Sequence, residues 1–85
     1  MKYVWLRKWK NKLGVKDDIH FEYISRDCVD NSYRVNYHLV GIVGNTIYHD
    51  RRLKEIDIVH ELVHFLDKRL SEKSVREITE GLLYG

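Results

Sequence analysis

The chain has 85 residues, 44% of them hydrophobic, with two tryptophans, six tyrosines, two phenylalanines and a formal net charge of +2. That length sustains one domain, read here as 1–85, whose core is small enough that a metal or a partner is a common staple. So small a net charge gives no argument for nucleic acid, and no apolar stretch approaches the length of a membrane span.

The first pattern in the chain is helical. Over 3–13, Trp5, Leu6, Trp9 and Leu13 fall on one side, while Arg7, Lys8, Lys10 and Lys12 fall mostly elsewhere. Gly14 suits the position just past the helix end. Basic residues interleaved with tryptophans admit contact with nucleic acid or a membrane surface, but the favoured reading is a surface helix that docks its tryptophans on a sheet and leaves its lysines in water. Charges at Lys2, Arg7 and Lys8 interrupt the start of the chain too soon for a signal peptide, so a cytoplasmic protein is expected. Cys28 is the only cysteine; it allows no intramolecular disulfide and reads as a free thiol in a reducing compartment.

Two alternating stretches follow. Ile19 to Ser25 is a weak strand, Arg26 to Ser32 a polar loop, and 33–40 a clearer half-buried antiparallel strand. Gly41 and Gly44-Asn45 bracket Ile42-Val43 and suggest a turn or bulge there. Thr46 to His49 is a short strand, and Asp50-Arg51-Arg52 a loop. A long apolar helix should run from about Leu53 to Lys68, and a last helix from 72 to 83 behind the N-cap Ser71. The fold class is therefore α+β: an N-terminal helix, a small, mostly antiparallel three-stranded sheet, and two C-terminal helices.

The long helix carries the chemistry. His60-Glu61-Leu62-Val63-His64 is an HExxH run. Histidines four apart share one helix face, so both imidazoles can reach one tetrahedral metal ion. Glu61 projects beside the pair, within reach of a water held by such an ion, and is the candidate catalytic base. The surrounding Ile56, Ile58, Val59, Leu62, Val63, Phe65 and Leu66 imply a largely buried helix. Buried His and Glu side chains need partners, and a metal satisfies all three together. The plainer alternative is a core helix whose histidines hydrogen-bond to the main chain.

A catalytic zinc normally has three protein ligands. A short connection folds the last helix back onto the motif helix, which makes Glu72, Glu77 and Glu80 the candidates for the third. Measured from the apolar stripe Val75, Ile78, Thr79 and Leu82, Glu72 lies about 60° away, Glu80 about 140° and Glu77 about 160°. Glu72 is the first choice, with a simple role at the helix N-terminus as its rival. Asp67 shares the histidine face and is either a partner orienting His64 or an ordinary helix-end charge. His49 closes the strand before the motif helix and either faces the cleft or, as the favoured reading, lies at the surface. Tyr48 and Tyr84 are both possible donors to a developing oxyanion.

On these residues the chain resembles the zincin metallopeptidases. The short strand Thr46–His49 before the motif, and a glutamate from the following helix, make it similar to the gluzincin branch. It looks especially like the very small gluzincin-like proteins of bacteria and phages, through His64-Phe65-Leu66-Asp67, Ser71-Glu72 and Gly81-Leu82. The resemblance covers roughly residues 44–83. It implies a Zn2+ ion on His60, His64 and an acidic residue, Glu61 as general base, and a peptide or protein substrate, without the second cleft wall of larger gluzincins. A substrate strand is expected to pair with the Thr46–His49 edge. A zinc-stabilised binding module without turnover and a metal-free interaction domain are the alternatives.

Overall fold

The computed structural model describes residues 1–24 and 40–85. The expected loop at 26–32, most of the strand at 33–40, Cys28 and His38 lie outside the described residues. Those described form three helices and a three-stranded mixed sheet, an α+β fold, in the order α1 (Lys2–Leu13), β1 (His20–Tyr23), β2 (Val40–Val43), β3 (Thr46–His49), α2 (Glu55–Leu66) and α3 (Glu72–Tyr84). The three helices and β3 lie within two residues of their expected ends and β1 lies inside the expected 19–25, whereas β2 stands where a turn or bulge was expected.

Helix α1 stops where Gly14 adopts φ 71°, a left-handed conformation open to glycine without a Cβ penalty, and Val15 N–H then closes the helix on Lys10 O at 2.9 Å. Its apolar side buries Leu6 and Trp9. The main surface that α1 meets is α2, and it also touches the sheet where Tyr3 packs on Phe21 of β1, ring centroids 5.3 Å apart. A local reason is the indole N–H, which requires an acceptor when buried. Glu55, in the first turn of α2, supplies it: Trp9 Nε1 donates to Glu55 Oε2 at 2.7 Å, and Lys8 Nζ donates to the same oxygen at 3.1 Å. The Trp9 bond first, then the Lys8 bond, hold the Glu55 carboxyl below its ordinary value of 4.5.

A group with a lowered folded pKa stabilises the fold above its ordinary pKa, and that contribution is lost as pH falls through the lowered value. Glu55→Ala is expected to cost about 1 kcal/mol at pH 7 by leaving a buried donor short of its acceptor. The gap between wild-type and variant melting temperatures should narrow at pH 3. An unchanged gap would show that the carboxylate charge contributes nothing.

The sheet order is β1-β3-β2. β2 and β3 form an antiparallel hairpin with Ile42 opposite Ile47 and Val43 opposite Thr46. Ile42-Val43 is thus strand, and the turn is confined to Gly44-Asn45, where Gly44 takes φ 61°. Gly41 does not break the strand, because it pairs with Tyr48 in the ladder. β1 joins the other side of β3 in parallel, Phe21 beside Ile47 and Tyr23 beside His49. One pair is parallel and one antiparallel, so the sheet is mixed. This places β3 in the centre, with its hydrogen-bonding groups directed to β1 and β2. It is therefore not the edge on which a substrate strand was expected; among the described residues, the free edges belong to β1 and β2.

The core lies around α2. Ile58, Val59 and Leu62 are fully buried, together with Ile47 from the sheet and Val75 from α3. Asp57 fixes the start of α2 by accepting from Lys54 N–H at 2.9 Å and lying 3.3 Å from Arg51 Nη2. Ser71 caps α3 by accepting from Ser74 N–H at 3.2 Å. The buried side of α3 is narrower than its sequence stripe: Val75 and Thr79 are buried, whereas Ile78 and Leu82 are 41% and 40% exposed.

Candidate metal centre

Helical spacing puts His60 and His64 one turn apart on α2, and the short return through Leu70 and Ser71 brings the first turn of α3 beside them. The two rings lie 4.8 Å apart, centroid to centroid, at 66°. Their Nε2 atoms are 3.2 Å apart. The Glu72 carboxylate faces both, with Oε2 3.1 Å from His60 Nε2 and Oε1 2.8 Å from His64 Nε2. Of the three glutamates considered for a third ligand, Glu72 is the one brought to the histidines; Glu80 lines the same cleft and Glu77 does not.

These separations fit a metal. Two donors about 2.0–2.1 Å from a tetrahedral zinc stand roughly 3.3 Å apart, close to the observed edges. His60, His64 and Glu72 are the His/Cys/Asp/Glu group among the described residues whose ligand atoms all converge, within 4.8 Å of one another. Nε2, N and O donors of this kind suit zinc. Neither Nε2 is taken by a main-chain oxygen in the described contacts, in contrast to the core-helix alternative.

Burial is the largest single influence on the titration of Glu61, His60 and Glu72. Glu61 is only 6% exposed. Burial, followed by the carboxylates of Glu72 and Asp57, pushes its pKa up to about 8, while a hydrogen bond from the Ile42 backbone pulls the other way. Burial lowers His60; Glu72 opposes that shift, and His64 and Arg76 add to it. Burial raises Glu72, but His64 and His60 outweigh it and the carboxyl ends below its ordinary value.

The cleft around this group has β2 on one side and α2 and α3 on the other, with Ile42, Tyr48, Glu61 and Arg76 along its walls. Tyr48 borders the cleft, as an oxyanion donor would; Tyr84 is 76% exposed at the end of α3 and does not. Asp67 does not orient His64. It forms the C-cap of α2, where its carboxylate accepts from Arg69 N–H at 3.0 Å, so the helix-end reading holds.

His49 is not at the surface. It is 6% exposed because it points to the same side of β3 as Ile47, and its Nδ1 lies 2.8 Å from Arg51 O. A carbonyl only accepts, so Nδ1 carries the proton. Among the described residues its buried Nε2 has no hydrogen-bond partner.

Sequence reasoning missed two contributors. Arg76 stands one helical turn after Glu72, and that i, i+4 spacing was a usable signal. The Ile42 backbone contact to Glu61 had no local signal, since it joins residues nineteen apart. Among the described residues no helix is long and apolar enough to cross a membrane. No protein-family model, curated protein or solved structure matches the chain.

Proposed function

We propose that the chain is a minimal zinc-dependent peptidase of the gluzincin type, with His60, His64 and Glu72 as metal ligands and Glu61 as general base. The observation that carries this reading is the convergence of two imidazole nitrogens and a carboxylate from the next helix, beside a buried glutamate in an open cleft. Zinc in that position supplies a Lewis acid that acidifies water and polarises a carbonyl.

The chain's own residues do the rest. With the positive charge of a bound metal drawing its pKa down from about 8, Glu61 would take a proton from the attacking water and return it to the leaving amine, its carboxyl steadied by the Ile42 backbone. Among the described residues no strand pairs with the outer edge of β2; its Ile42 N–H is given to Glu61, and an extended peptide can add to the remaining main-chain groups and lie across the histidines. Tyr48 and Arg76 border the space in which the scissile carbonyl would sit. A cytoplasmic setting accords with the single cysteine.

The test is to incubate zinc-loaded protein with a peptide library and read cleavage by mass spectrometry. Cleavage that stops with a chelator and returns with zinc is expected. Stoichiometric zinc with no peptide cut would overturn the enzyme reading.

That outcome would leave a structural zinc module, which one observation favours: the His60–Glu72 and His64–Glu72 contacts clip α2 to α3 in a domain with little core. Both readings predict that chelation lowers the melting temperature. At a zinc concentration a hundred times Kd, binding contributes about 2.7 kcal/mol, which corresponds to a shift of roughly 10–20 °C for a domain of this size. A scanning-calorimetry shift of under 2 °C would contradict both.

A further inference from the structure

The net charge of +2 conceals a strong separation. The first sixteen residues hold six of the fifteen basic side chains and no acidic one, for a formal charge of +6; the remainder, with nine bases and thirteen acids, carries −4. Because Leu6 and Trp9 turn the apolar side of α1 into the core, these bases are left on its outer side.

Lys2 lies over the Tyr3 and Phe21 rings, 5.4 and 5.0 Å from their centroids, and the other five fall into two groups. Lys8 and Lys12 lie against the Trp9 ring, 5.4 and 4.9 Å from its centroid, and Lys8 also pairs with Glu55. Arg7, Lys10 and Lys16 pair with no carboxylate among the described residues. Arg7, Lys10 and Asn11 share one helical face, and the left-handed turn at Gly14 carries Lys16 back beside them. Together with Tyr3 they line a shallow depression. Tyr3 packs against Phe21 at a steep angle, ring centroids 5.3 Å apart, and is still 64% exposed.

We propose that this face of α1 binds single-stranded nucleic acid. Three uncommitted cations track the phosphodiester backbone, and Tyr3 provides a surface on which a base stacks. Charge complementarity favours a polyanion. An anionic membrane is the less suitable partner, because Leu6 and Trp9, which an interfacial helix would insert, are already in the core. The surface is independent of the metal centre, so its test neither requires zinc nor depends on peptidase activity.

Fluorescence anisotropy with a labelled 20-nucleotide single strand tests this, on the full chain. Log Kobs should fall with log salt at a slope of about −2, three phosphates contributing about −0.7 each. Combined replacement of Arg7, Lys10 and Lys16 by alanine should abolish most of the binding and flatten the slope, and Tyr3→Ala should weaken binding at least about fivefold. Lys73→Ala, on the outer side of α3, should change nothing. Melting curves establish that each variant is folded. Absence of oligonucleotide binding by wild type, binding unaffected by the triple replacement, or binding to phosphatidylserine vesicles but not to the oligonucleotide would each overturn the proposal.

Discussion

Glu61→Gln is expected to retain zinc and to lower peptide hydrolysis by about 10²–10⁴-fold, the usual contribution of a positioned acid–base group. The substitution is nearly isosteric at a site only 6% exposed, so it opens no cavity. The amide oxygen can still accept the Ile42 backbone hydrogen bond that the carboxyl now receives. What the amide lacks is a site that takes up a proton. Because Glu61 is not in the converging donor set, zinc content should match wild type. Equal rates for the two proteins on the same peptide would remove Glu61 from the reaction.

Glu72→Ala should weaken zinc binding by more than about a hundredfold, exceeding the 10–100-fold typical of residues that only orient a ligand. The Glu72 side chain is 61% exposed, and Ser71 remains as the helix cap, so little stability in the metal-free state should be lost with it. Glu77→Ala and Glu80→Ala provide the contrast. Glu77 lies outside the cleft, and Glu80, two turns beyond Glu72 within it, is not in the converging set; each should bind zinc within a few-fold of wild type. Competition against a chromophoric zinc chelator measures all three. Equal damage from Glu80→Ala and Glu72→Ala would show that the third ligand has been misassigned.

The helices and their facing residues were legible because their signals are local. The apolar spacing of Trp5, Leu6 and Trp9, the Ser71 cap and the four-residue interval from His60 to His64 each depend on residues within one or two turns. The position of Glu72 could be reached from helical angles once a tight return was assumed. The sheet was less legible. Parallel pairing of β1 with β3 is decided by tertiary packing, not by either strand's own alternation. Gly41 suggested a break, but a glycine in extended backbone can keep its place in a ladder. His49 was misread because polarity was given more weight than its two-residue spacing from the buried Ile47. The basic character of the first helix was plain in the sequence and admitted a nucleic-acid reading, which was set aside because one amphipathic stripe is what any packed surface helix shows.

The most direct measurement is the metal content of the purified protein after zinc loading and exhaustive dialysis. Close to one zinc per chain is expected for wild type, and close to none for His60→Ala and His64→Ala, with each variant shown to be folded by circular dichroism. A folded wild-type chain that holds no zinc, or a His60→Ala variant that keeps a full equivalent, would contradict the metal centre on which the account rests.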